Sequence, residues 1–312
     1  MNSLLPLRIG TRGSPLALAQ AREVKAHLAA AHPSLAAPEA VELVVIKTSG
    51  DLFLDRTLAD IGGKGLFTKE IEEALSEGRI DLAVHSMKDV PTWLPEGLAI
   101  TCVLPREDPR DALIANGAAS IAALPKGARV GTASLRRQAQ LLLARPDLQI
   151  TVLRGNVETR VRKVREGGAE ATLLALAGLR RLDATRHADA VLSIEEMLPA
   201  VAQGAIGIET RLRDERTNTL LAALNHRESM IRIVAERALL AALDGSCRTP
   251  IAALAELDGT MIRLRALIAT PDGTAHHRAD ERAAAGDAEA LGRAIGDRLK
   301  AEAGPGFFSG AT

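Results

Sequence analysis

Tyrosine is absent from the 312-residue sequence, and aromatic side chains make up only 2% of it. Residues 129–181 contain no aromatic at all, which removes the stacking platforms that hold single-stranded nucleic acid. Cysteine is scarce too. Cys102 and Cys247 are too few for a disulfide framework and lie at no metal-binding spacing. No apolar run approaches the roughly 18 residues of a membrane span. The opening "MNSLLPLRIGTRGSP" lacks the cationic start, apolar stretch and cleavage pattern of a secretory signal. These absences set the expectation of a cytoplasmic protein with no nucleic-acid or membrane partner.

What is present is ordinary in bulk and uneven in placement. Hydrophobic residues are 47% and charged residues 25%, enough for two or three domains with real cores. The net charge is zero, yet residues 129–181 hold eleven Lys and Arg against four Asp and Glu. A segment at +7 in a neutral chain points to an anionic ligand held at one place.

Short apolar runs alternate with helical patterns over the first two-thirds, which predicts α/β lobes with mainly parallel sheets. Strands are expected at Leu7–Gly10, Val41–Thr48, Asp81–His85, Ala99–Val103, Arg129–Gly131, Gln149–Leu153 and Ala171–Leu176. Helices are expected at Pro15–His32, with Ser14 as N-cap, and at Thr68–Glu77, closed by Gly78. "IGTRGSPLALAQ" (Ile9–Gln20) is echoed by "VGTASLRRQAQ" (Val130–Gln140): strand, Gly-Thr, polar turn, Ser, helix with a Gln in its second turn. The echo suggests two lobes built alike, each presenting a helix N-terminus suited to anions at a strand's carboxyl end. From Arg227 a long amphipathic helix and alternating strands predict a small α+β domain.

Standard motifs fail. "IGGKGLF" lacks the spacing of a phosphate loop, and no His pair supports zinc. His276-His277 sits in a turn-like stretch, and His85 reads as a hydrogen-bonded core residue. Cys102, in "AITCVL", reads as a small buried hydrophobe. Cys247, in the loop "LDGSCRTP" beside Arg248, is placed to ionise and react. "DLAVHSMKDVP" ends an apolar strand in Ser86, Lys88 and Asp89, where a carboxylate in a cationic setting suits stabilisation of positive charge.

Taken in order, "RIGTRGSPLALAQ", "GGKGLFTKE", "VHSMKDVP", "EDPRDA", "GTASLRRQAQL", "LRGNVETR", "AVAQGAIGIE" and "DGSCRTP" resemble the porphobilinogen deaminase (hydroxymethylbilane synthase) family over nearly the whole chain. The resemblance implies a monomeric transferase of porphyrin and haem biosynthesis. Such an enzyme joins four porphobilinogen units head to tail with loss of ammonia and frees the linear tetrapyrrole hydroxymethylbilane. It implies a dipyrromethane cofactor attached by a thioether to Cys247, and Asp89 as the catalytic carboxylate facing pyrrole N–H groups. It further implies that Arg12, Arg136, Arg137, Arg154, Arg160 and Arg181 hold the acetate and propionate groups of cofactor and substrate. Ser14, Lys64, Ser86, Lys88, Thr132, Ser134, Gly155 and Gln203 are implied as supporting positions. The implied fold is two periplasmic-binding-protein-like α/β domains, 1–104 with 205–222 and 105–204, plus a small α+β domain, 227–312, carrying the cysteine loop.

Three positions depart from the common family pattern: Asp60 where many relatives have Lys, Ala133 where they have Ser, and Ser246 where they have Gly. A bare anion-binding module leaves Cys247 without a task, and a thiol or serine acyl-transfer enzyme lacks a base and its orienter. Arg136 and Arg154 lie near expected element ends, so the fold is expected to tolerate their loss.

Overall fold

The computed structural model describes residues 6–52, 67–245 and 249–308. The order opens with β1 (Leu7–Thr11), α1 (Pro15–Ala31), β2 (Val41–Val45), α2 (Ser49–Leu52), α3 (Lys69–Ser76), β3 (Leu82–Ser86) and β4 (Leu98–Val103). It continues through β5 (Asp111–Ala115), β6 (Arg129–Gly131), α4 (Leu135–Ala144), β7 (Gln149–Thr151), α5 (Val157–Arg165), β8 (Ala171–Ala175), α6 (Leu176–Arg181) and β9 (Ala190–Val191). β10 (Ile206–Arg211), α7 (Glu215–Ala222), α8 (Arg227–Ala242), β11 (Ile251–Asp258), β12 (Met261–Ala269), β13 (His276–Ala284) and α9 (Ala288–Ala303) complete it. The described residues form two compact units, one from residues up to 52, 67–106 and 205–230, the other from 107–204 and 231 onward.

In the first unit the sheet order is β2-β1-β3-β10-β4. β1 runs parallel to β2 and β3, while β10 runs antiparallel to β3 and β4. In the second unit the order is β7-β6-β8-β5-β9, with β6 parallel to β7 and β8 and β5 antiparallel to β8 and β9. The two sheets are the same arrangement, β1 matching β6 and β3 matching β8, so the echo in sequence is an echo in structure. Ser14 caps α1 by accepting from the Ala17 N–H, and Ser134 caps α4 by accepting from the Arg137 N–H. Leu7, Ile9, Val24, Leu28, Val84, Ile206 and Ile208 form the core between α1 and the first sheet.

The second unit also holds the antiparallel sheet β11-β12-β13, against which α9 packs. A Cβ at Gly292 of α9 would strike the Ala235 carbonyl oxygen of α8, so glycine is what lets these helices touch backbone to backbone.

The sheets differ from the expectation in their returning strands. β5 and β10 are antiparallel and fully buried in most positions, and neither alternates in a way that marks it locally. β2 stops at Val45, short of Thr48, and β7 stops at Thr151, short of Leu153. His276 and His277 open β13, where each pairs with β12, so they are strand residues and not a turn.

Candidate active site

In the first unit β1 and β3 are adjacent and parallel, so their carboxyl ends emerge side by side. The turn after β1 supplies Arg12 and Ser14; the tip of β3 supplies Ser86 and Asp89. These four line one pocket together with Gln20, Phe67, Thr68 and His85. Gln20 of α1 fixes Ser86, its Nε2 donating to the hydroxyl at 2.9 Å and its Oε1 accepting from it at 3.1 Å. Arg12 lies over the Phe67 ring, 4.2 Å from its centroid, an arrangement that steadies a guanidinium through its face.

Asp89 ends a 3-10 turn, Met87–Asp89, closed by the Val90 N–H donating to the Met87 carbonyl. Met87 is buried against Gly207 of β10, where any side chain would collide with its sulfur. That contact seats the turn, and Asp89 at its end is half-buried. Among the described residues none donates a hydrogen bond to Asp89 or pairs with its charge.

The second unit gathers arginines instead. Asp111, at the start of β5, is fully buried. Its Oδ2 accepts from Arg136 at 2.7 Å, and its Oδ1 accepts from Arg137 at 2.7 Å and from Gln203 at 3.0 Å. Burial alone would push this carboxyl up, but the two guanidiniums outweigh it and hold it far below the ordinary carboxylate range. Burial pulls the Arg136 pKa down despite Asp111. Arg136 and Arg137 are each 5% exposed, and the Nε of each has no hydrogen-bond partner among the described residues. Two buried cations thus face one buried carboxylate, which leaves a positive excess and spare donors suited to an anion.

Other expected positions are placed as follows. Thr132 is buried after β6, its N–H donating to Thr151. Arg154 is half-buried in the turn after β7. Arg160 of α5 returns to that turn and donates to the Gly155 carbonyl at 2.8 Å, where Gly155 takes a φ of 121°. Arg181 donates to the Gly204 carbonyl at 3.1 Å. Lys64, Asp60, Ser246 and Cys247 lie outside the described residues. Cys102 is fully buried, and burial pushes its thiol up to about 12.

Two groups escaped the sequence reading. Asp111 lies in "EDPRDA", whose acids carried a signal: Glu107 pairs with Arg180, Asp108 with Arg110, and Asp111 with Arg136 and Arg137. Gln20 was visible in the echo, six residues after its capping serine, as Gln140 is after Ser134. The burial of Arg136 also corrects the expectation that the fold tolerates its loss, since removing it strips a partner from a buried charge.

A family model described as "Porphobilinogen deaminase, dipyromethane cofactor binding domain" matches residues 7–219. A second, "Porphobilinogen deaminase, C-terminal domain", matches residues 230–301. The chain is 56% identical over 307 residues to the chloroplastic porphobilinogen deaminase of Oryza sativa subsp. japonica, covering 97% of this chain and 85% of that protein. It is 56% identical over 303 residues to the porphobilinogen deaminase of Paracoccus denitrificans, covering 97% and 96%. Among solved structures, a TRAP periplasmic solute-binding protein from Desulfovibrio salexigens aligns at a TM-score of 0.43 and 8% identity, over 72% of this chain and 73% of that one.

Proposed function

The chain belongs to the porphobilinogen deaminase family, and from that premise we propose how its own residues divide the work of joining porphobilinogen units. The activity is that of a transferase of tetrapyrrole synthesis acting on a small molecule, with a dipyrromethane cofactor. Among the described residues no helix is long and apolar enough to cross a membrane. We read the protein as a cytoplasmic monomer of three domains, 1–104 with 205–222, 105–204 and 227–312.

The observation that carries the assignment of the reacting residue is the Asp89 carboxylate, half-buried in a pocket with Arg12, Ser14 and Ser86 and bonded to no other described residue. A carboxylate in that state is an acceptor for pyrrole N–H groups and a fixed negative charge for the cationic species that form as ammonia leaves. Arg12, Ser14, Ser86 and Lys88 are donors, suited to the substrate's carboxylates. Opposite charges one residue apart, Lys88 and Asp89, thus serve opposite parts of one molecule.

The donor set of the second unit fits a polycarboxylate cofactor: Arg136 and Arg137 outnumber Asp111 and keep buried donors without partners among the described residues. Arg154, Arg160, Arg181, Thr132, Ser134, Gly155 and Gln203 would complete its hold, with Lys64 assisting and Cys247 as the attachment point. When bound, the dipyrromethane supplies the pyrrole end from which the chain is extended.

The test is single-turnover kinetics on cofactor-loaded Asp89→Asn, with melting as a control for the fold. The carboxamide keeps size and one acceptor but loses charge, and the expected loss is ~10²–10³ in condensation rate. Condensation within a few-fold of wild type would remove Asp89 from the reacting centre.

A further inference from the structure

A trio of buried titratable groups lies beneath the first unit's pocket and has no task in the scheme above. His85 lines the pocket yet is only 5% exposed, and its Nε2 lies 3.0 Å from Oε2 of Glu209, which is fully buried. The two meet because β10 runs antiparallel to β3 with Gly207 opposite His85 and Glu209 opposite Ala83, which puts both side chains on one face. From α3, Glu72 brings a second carboxyl, 6% exposed, pushed up by burial and further by the charge of Glu209.

A buried carboxylate is costly unless donors meet it. Oε1 of Glu209 has no hydrogen-bond partner among the described residues, so the imidazole is the one side-chain donor found there for this carboxylate. For stability alone an apolar pair of the same shape would serve as well or better. His85, however, lines the pocket, which gives the pair a different use. No described residue hydrogen-bonds Nδ1 of His85.

We propose that Glu209 is a positioning residue for the condensation: through Nε2 it fixes the tautomer and seat of His85, leaving Nδ1 as an acceptor at the pocket where Asp89 acts. The inference rests on reading that pocket as the condensation site. A neutral imidazole whose Nε2–H is directed at a carboxylate has an acceptor nitrogen on its other side. Porphobilinogen brings a pyrrole N–H and an aminomethyl group, both donors, so a second acceptor beside Asp89 matches its chemistry. His85 and Asp89 also share one short stretch of chain, so a fixed ring steadies the turn that carries the carboxylate.

Long-range ¹H–¹⁵N spectra of histidine-labelled protein test the tautomer without any turnover; wild type should show His85 protonated at Nε2 alone. In Glu209→Gln, kcat should fall roughly 10- to 100-fold, as loss of a histidine's orienting partner does elsewhere. KM should stay within about twofold and cofactor occupancy by intact mass should be unchanged, with partial recovery in Glu209→Asp. An Nδ1–H or doubly protonated ring in wild type overturns the proposal, and that measurement stands even if the glutamine variant does not fold. So does a Glu209→Gln enzyme with wild-type kcat, or one whose fall in activity is matched by reduced occupancy or lowered melting. A wild-type protein that consumes no porphobilinogen instead overturns the deaminase reading itself, so the two failures are distinguishable.

Discussion

Arg136 is built into the fold as well as being proposed for the site. Its Nη2 holds Asp111 and its Nη1 donates to the Leu198 carbonyl at 2.7 Å, all within a nearly closed interior. Replacing it with leucine leaves Asp111 to Arg137 and Gln203, and breaking a buried pair in this way costs about 3 kcal/mol or more. Arg136→Leu should therefore melt earlier and load less cofactor, whereas Arg154→Leu, altered at a half-buried turn, should melt near wild type. The contact proposed between Arg154 and a cofactor carboxylate, a charge-assisted hydrogen bond, is worth on the order of 1.5–3 kcal/mol, so Arg154→Leu should slow cofactor assembly or chain elongation about tenfold or more. Melting curves beside intact-mass occupancy separate the two. An Arg136→Leu protein as stable as wild type would show that Arg137 alone suffices for Asp111.

Among elements, α8 joins two separate segments of the second unit. Glu236, fully buried in its middle, accepts from the Ala202 N–H at 2.6 Å and the Ala255 N–H at 2.8 Å. It thereby ties β11 to the loop that carries Gln203 and Gly204. The helix keeps this position because α9 lies on it through Gly292 and Gly296, each too close to α8 for a side chain. Gly292→Ala forces the helices apart, and overpacking of this kind costs about 1–3 kcal/mol. Urea denaturation should show that loss, while Gly286→Ala, with nothing within 4 Å of the added methyl, should stay within about 0.5 kcal/mol of wild type. Equal stabilities would mean that α8 and α9 can separate without penalty.

For the whole molecule the sharpest expectation concerns its two thiols. Cys102 is fully buried in the first unit's core with its thiol pushed up to about 12, so almost no thiolate forms at neutral pH. Cys247 sits in the sequence "DGSCRTP", next to Arg248. Peptide mass mapping should place the dipyrromethane adduct between Leu243 and Arg248 and find Cys102 unmodified. Fully active protein with a bare Cys247 would move the attachment elsewhere.

The sequence by itself determined whatever is settled within one strand, turn and helix. Ser14 and Ser134 cap their helices with bonds to residues three positions on, so the matching turns of both lobes were legible from their letters. The tip at Ser86–Asp89 was legible because an apolar run ends there in polar side chains. Only the tertiary structure decided which strands return antiparallel, because β5 and β10 are buried on both faces and show no alternation to read. It also decided the pairing of His85 with Glu209, 124 residues apart, and of Asp111 with Arg136 and Arg137. A basic run looks the same in sequence whether solvent or a buried carboxylate neutralises it, and the difference arises only when the sheet closes around Asp111.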